Sequence, residues 1–274
     1  TQGHMSSQFP FGNSAPTVSS APTVTTNEDV EYAFATSNFN FTDVDAGDAL
    51  DHIEVTSLES VGTLYLDADN DDTHDSGEDV TANQDITAAN ITNSHLRFAP
   101  VADSSGSAYT TFAYKVSDGK SYSSAASTMT INVTAVNDAP TLTATGTNPS
   151  YTENNAAVML FSGASINTVE AAQSISSLRM TISNLANGAS ELLTIDGSEI
   201  SLTDGNTGTT AGNGLTYSVS LSGSTATLTL SSVAGVSAAN AETIVNGIGY
   251  RNASDAPSGA NRTVTLTAIS DNGG

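Results

Sequence analysis

"STMTINVTAV" (residues 127–136) decides the fold class. Met129, Ile131 and Val133 fall on one side of an extended chain, and Thr128, Thr130, Asn132 and Thr134 on the other. This is the two-residue period of a half-buried strand. "LTYSVSL" (215–221), "TATLTL" (225–230) and "TVTLTAI" (263–269) repeat the pattern, with serine and threonine wetting the outer face in place of lysine. One stretch keeps a different period: "SAANAETIVNG" (237–247) reads as the chain's only helix, Ser237 as N-cap and Gly247 as C-cap. Many short strands separated by turns predict an all-β chain of sandwich type.

At 274 residues the chain is long enough for two domains, each burying its own core. Six basic residues stand against 29 acidic ones, a formal charge of −23. Such a surface repels nucleic acid and anionic lipid and concentrates divalent cations, so no nucleic-acid partner is expected. Without cysteine there is no disulfide and no thiolate to act as ligand or nucleophile. No apolar run reaches the roughly 20 residues of a membrane span and no secretory core is visible, so direct membrane insertion is not expected. Residues 1–5, "TQGHM", read as a protease and cloning scar, which removes His4 from consideration, and "GNSAPTV" (12–18) reads as the remnant of a preceding linker.

The chain is also an internal repeat. "TAAN" (87–90) precedes "HLRF" (95–98) as "SAAN" (237–240) precedes "GIGYR" (247–251). Asp103 and Asp255 follow at matching distances, then an alternating strand, then "VSDGK" (116–120) or "ISDNGG" (269–274). "VNDAPT" (136–141) between the copies reads as a short proline-stiffened linker. The expected division is 1–20 scar and linker remnant, 21–138 first module, 139–274 second module. The second copy stops where the first continues into 127–136, so its final strand is expected to be missing, leaving an open sheet edge.

"NED" (27–29), "DVDAGD" (43–48), "ADSSG" (102–106), "YKVSDG" (114–119) and "VNDAP" (136–140) together resemble the cadherin-like and VCBS-type repeats of large bacterial surface proteins, RTX adhesins among them. The resemblance covers roughly residues 21–274. It implies two tandem Greek-key, cadherin/Ig-like β-sandwich domains with calcium at the joints, in an extracellular or cell-surface setting. In a seven-stranded sandwich of that kind, Asp43, Asp45, Asp48 and Asp118 fall at the N-terminal pole of the first module, near Asn13. Glu28 and Asp103 fall at the other pole. With Asn137, Asp138, Glu170 and Asp271 they form the expected joint set. Calcium takes about six to eight oxygen ligands, which carboxylates from both sides of a linker can supply. The second copy carries "TVEAAQ" (168–173) where the first has "DVDAGD", a poorer ligand set, and its Glu153 and Asp255 point onward, away from the joint.

"DADNDDTHDSGED" (67–79) is a further candidate. Asp67, Asp69, Asp71, Thr73, Asp75 and Glu78 occupy positions 1, 3, 5, 7, 9 and 12 of the EF-hand ligand scheme. Position six is Asp72 where a glycine is expected, and strand-like "TLYL" (63–66) replaces the flanking helix. Like charges about 4 Å apart cost on the order of 4 kcal/mol at an effective dielectric near 20, a cost that a bound cation removes. Asp67→Ala is expected to act only on this loop.

No zinc spacing joins His52, His74 and His95, of which His52 and His95 read as strand-edge residues. No nucleophile elbow, phosphate loop or carboxylate pair in a sugar-binding cleft stands out, so no enzyme is expected. The expected function is a calcium-rigidified extender or adhesion region whose partners are neighbouring repeat modules of the same chain. The alternative is a calcium-dependent module for a surface glycan or protein receptor, with Tyr65, Tyr109, Tyr122 and Tyr217 as stacking surfaces.

Overall fold

The computed structural model describes residues 12–273, so the scar assigned to residues 1–5 lies outside the described residues. The chain is all-β and divides into two compact units, residues 1–136 and 137–274. Asn137 and Asp138 therefore belong to the second unit.

The first unit runs β1 (Thr17–Val18), β2 (Thr23–Asn27), β3 (Tyr32–Ala33), β4 (Phe41–Thr42), β5 (His52–Ser57), β6 (Thr63–Leu66), β7 (Gln84–Thr87), α1 (Ala88–Thr92), β8 (Leu96–Ala99), β9 (Gly106–Ser117) and β10 (Ser127–Thr134). One sheet has the order β2-β10-β9-β5-β7, and a smaller one β3-β8-β6 lies across the core. The β10 side chains alternate as their sequence requires: Met129, Ile131 and Val133 are buried, and the threonines between them face outward. On β9, Phe112 lies opposite Met129 and is buried with Tyr114 and Val116, and β10 also pairs in parallel with β2, sealing Val24 beneath it. Gly62 enters β6 at φ +78, and a Cβ there would press on the Phe98 ring and on the Ala99 carbonyl, so only glycine fits this turn.

The second unit runs β11 (Thr141–Gly146), β12 (Val158–Met159), β13 (Phe161–Asn167), β14 (Ile175–Ser183), β15 (Glu191–Ile195), β16 (Ser198–Ser201), β17 (Thr207–Thr209), β18 (Thr216–Ser222), β19 (Thr225–Val236), α2 (Ala238–Asn246), β20 (Gly249–Asn252) and β21 (Thr263–Asp271). Its sheets are β17-β18-β19-β14-β21 and β12-β20-β15-β16, with β11 paired to β13 alone. The repeat is visible in the order of elements. In each unit a strand, a helix and a strand follow one another (β7-α1-β8, β19-α2-β20), and β9 and β21 lie against β5 and β14.

The helix expected at 237–247 forms with Ser237 accepting the Asn240 amide and Gly247 as C-cap. The reading of it as the only helix is corrected by α1, which Thr87 caps at Asn90 in the same way. His52 is corrected too: it lies on β5, paired on both sides.

One ion pair in the second unit is nearly sealed. Arg262 reaches Glu191, whose side chain is 0% exposed against 7% for the arginine. Glu191 Oε1 also accepts the Ala186 and Asn187 amides, both at 2.7 Å, and Oε2 accepts the Tyr250 hydroxyl at 3.1 Å. Burial alone would raise the Glu191 carboxyl, but the Arg262 hydrogen bonds and the two amides outweigh it and hold it below the usual glutamate value.

Candidate metal centres

The clearest centre lies in the first unit, where the loop after β4 meets the β9–β10 turn. Asp43, Asp48 and Asp118 each place one carboxylate oxygen within 4.8 Å of the others. The loops are shaped by the same side chains. Asp43 Oδ1 accepts the Asp45 amide at 2.8 Å, and Asp118 Oδ1 accepts the Lys120 and Ser121 amides, both at 2.7 Å. Asp43 and Asp118 thus each spend one oxygen on their own turn. The other oxygen, Oδ2 of Asp43 and of Asp118, is buried with no hydrogen-bond partner among the described residues.

Asp45 accepts the Ser14 amide at 2.6 Å, and Asn13 donates to Ser121 at 2.9 Å, so the segment before β1 lies against this pole. Burial would raise the Asp118 carboxyl, yet hydrogen bonds from the Ser121 and Lys120 amides, with the Lys120 charge, hold it below its ordinary value. Lys120 Nζ stands 2.7 and 2.8 Å from the two Asp48 oxygens, a tethered cation in a ring of carboxylates.

The 67–79 loop departs from the EF-hand scheme in an instructive way. Asp67, Asp69 and Asp71 bring one oxygen each within 4.8 Å of one another, a group that includes neither Asp75 nor Glu78. Thr73 donates to Asp71 at 2.7 Å, while Glu78 accepts the Ala68 and Asp75 amides at 2.7 and 2.9 Å, clamping the loop shut. Asp72 supplies the left-handed turn expected of a glycine, at φ 65, with Asn70 alike at φ 63. Asp69 is pushed above its ordinary value by partial desolvation and then by the charges of Asp71, Glu78 and Asp75.

Asp67 is fully buried, and its carboxylate accepts the Asn70 and Asp72 amides. Arg97 supplies the positive charge that sequence reading missed. Its side chain is 15% exposed and stands between Asp67 at 3.6 Å and Glu31 at 3.8 Å, with Asp72 also bonded to it. Arg97 is 30 positions from Asp67 in sequence, and only the pairing of β6 with β8 brings its strand alongside.

The joint set divides by unit. Within the first, Glu28 is buried and accepts the Val136 amide at 2.6 Å, and the Asp103 amide donates to Asp29 at 3.2 Å. Within the second, the Asp138 amide donates to Glu170 at 2.8 Å and Gln173 donates to Asn137 at 2.8 Å. The Asn272 side chain accepts the Ser174 amide at 2.8 Å beside the buried Asp271. The linker, "TVEAAQ" and "ISDN" thus meet at one end of the second unit. Glu170 Oε2 and Asp271 Oδ2 are buried there without a hydrogen-bond partner among the described residues.

His52 hydrogen-bonds Asp51 at 2.7 Å and Tyr122 at 2.9 Å, and His74 bonds Asp79 at 2.7 Å. Tyr65 is fully buried and bonded to Glu31, which removes it as a stacking surface for a glycan.

No protein family profile matches the chain. No curated protein matches it at a significant level. Among solved structures, it is similar to a chimeric titin Z1Z2 functionalised with a KLER exogenous peptide from decorin, at 12% identity and a TM-score of 0.20, over 93% of this chain and 96% of that one. No helix among the described residues is long and apolar enough to cross a membrane.

Proposed function

We propose that the chain binds calcium through its loop carboxylates, and that it serves as a calcium-stiffened extender or adhesion segment of a bacterial surface or secreted repeat protein. The observation that carries the calcium reading is the pair of buried, unpartnered oxygens on Asp43 and Asp118, beside Asp48. A buried carboxylate oxygen without a donor is costly, and a hard cation with oxygen ligands is the partner that such a set fits. Asp43, Asp48 and Asp118 would hold one ion, and Asp67, Asp69 and Asp71 a second. Glu170 and Asp271 offer buried oxygens of the same kind in the second unit. The charge of −23 favours cation capture throughout. The extender role rests on the internal repeat and on the motif resemblance.

The test is a thermal melt in EDTA, in millimolar calcium and in millimolar magnesium, with binding followed by calorimetry. Calcium at a hundredfold above its Kd adds about 2.7 kcal/mol per site, a rise of roughly 8–13 °C for a unit of this size. Magnesium, which demands tighter octahedral geometry, is expected to give less. Equal melting in all three buffers, with no calorimetric signal, would sink the calcium reading.

Lys120 refines the test. It competes with a metal for Asp48, and an exposed, solvent-screened pair of this kind contributes little to stability. Lys120→Ala is therefore expected to tighten calcium binding about two- to fivefold, measured by titration. Weaker binding in that variant would show that the lysine supports the site.

A further inference from the structure

The outer face of the first unit carries a hydrogen-bonded chain whose protons can be counted. His52 lies on β5 between β7 and β9, its side chain 19% exposed. Its Nδ1 stands 2.7 Å from Asp51 Oδ2, and its Nε2 stands 2.9 Å from the Tyr122 hydroxyl. That hydroxyl in turn donates to Asp85 Oδ1 on β7 at 2.8 Å.

An ionised carboxylate only accepts, so the Asp51 contact places a hydrogen on Nδ1. A phenol has one hydrogen, and Tyr122 gives it to Asp85. Burial, then the hydrogen bond and charge of Asp85, push the Tyr122 phenol up to about 12, so the hydroxyl keeps that hydrogen at neutral pH. Nε2 therefore faces a lone pair of the tyrosine oxygen, and their contact is a bond only when Nε2 carries a hydrogen as well. All three bonds exist together only in the imidazolium form. Either neutral tautomer sets two acceptors against each other at one of the three contacts.

The remaining charged groups on this face are Glu54, two residues along β5, and Lys115, which lies opposite it on β9. Three carboxylates thus stand around the ring against one ammonium. In the β9–β10 turn itself, Lys120 is bonded to Asp48 and Asp118 to its own amides. The turn is seated on the chain at two points. One is Tyr122, and the other is Gly119, at φ +84, where a Cβ would stand 3.2 Å from the Asp51 carboxylate carbon.

We propose that His52 is a proton-operated latch. With hydrogen on both ring nitrogens it straps the β9–β10 turn to the outer face of β5 and β7, and loss of one hydrogen opens the strap. The closed turn holds more protons than the open one, so closure strengthens as pH falls through the range, about pH 8 to 5, in which histidine changes charge. The latch needs no metal and stands independently of the calcium reading.

Hydrogen–deuterium exchange of residues 117–123, corrected for the intrinsic rate at each pH, is followed in EDTA near pH 5.5 and pH 8.5, with the His52 ring nitrogens observed by heteronuclear NMR. The expected result is hydrogen on both nitrogens at the acid end and protection of the turn about fivefold greater there. Two variants on exposed side chains pull in opposite directions. In Asp85→Asn the new amide donates to the tyrosine oxygen and frees the hydroxyl for Nε2, so a neutral imidazole completes the chain and the turn stays closed at both pH values. Tyr122→Phe removes the hydroxyl and leaves the turn equally open at both. A His52 ring with one protonated nitrogen at the acid end overturns the proposal, as does turn exchange in the unaltered chain that ignores pH. A pH effect of unchanged size in both variants equally overturns it and would move the switch to another group.

Discussion

Glu191→Ala is expected to cost the second unit about 3–5 kcal/mol, because it strands Arg262 in a nearly sealed site. Alanine also orphans the Ala186 and Asn187 amides and the Tyr250 hydroxyl. Calorimetry of the full chain should then resolve two transitions, the lower one belonging to residues 137–274. The double replacement Glu191→Leu with Arg262→Met should lose less than the single one, since it removes both charges together.

The same pair sets an acid limit. Glu191 titrates below its ordinary 4.5 in the folded chain, so its contribution is fully present above 4.5 and is lost as pH falls through the lower, folded value. Melting of the second unit should therefore be insensitive to this group between pH 7 and pH 5, and should fall below about pH 4. A Glu191→Gln chain with an unchanged acid profile would count against that assignment.

The second large effect is expected at Asp67. Sequence reading confines Asp67→Ala to its loop, but the structure predicts a wider loss. The carboxylate is fully buried, holds the Asn70 and Asp72 amides and faces Arg97. Its removal is expected to cost the first unit about 2–3 kcal/mol, the scale of lost hydrogen bonds to a charged group. Asp69→Ala, on an exposed side chain, should leave stability in EDTA nearly unchanged while weakening calcium at the same loop. Urea unfolding of both variants in EDTA separates the cases, and equal losses would refute the distinction.

The strands were legible because half-buried strands carry their period in the chain itself, as β10 does with Met129, Ile131 and Val133. Helix α2 was legible through its caps. Helix α1 was not, since five residues are too few to show a period, although the match of "TAAN" to "SAAN" already held the signal. The aspartates of the loops were visible as residues, but their division of labour was not. Nothing local tells that Asp118 spends one oxygen on its own turn, or that Glu78 turns inward to two amides. Long-range partners were hidden for the same reason. Arg262 lies 71 positions from Glu191, and only the folded sheets bring them into contact.

The placement of the few basic residues has a consequence for proteolysis. Arg97, Lys115, Arg179 and Arg251 lie within strands, and Arg262 is locked to Glu191 at the mouth of β21. Lys120 alone occupies an exposed turn. A trypsin-like enzyme therefore meets one accessible cleavage point in the folded chain, in the hairpin between β9 and β10. A single nick there leaves β10 held by its ladders alone and converts the seal of the first unit into a detachable strand.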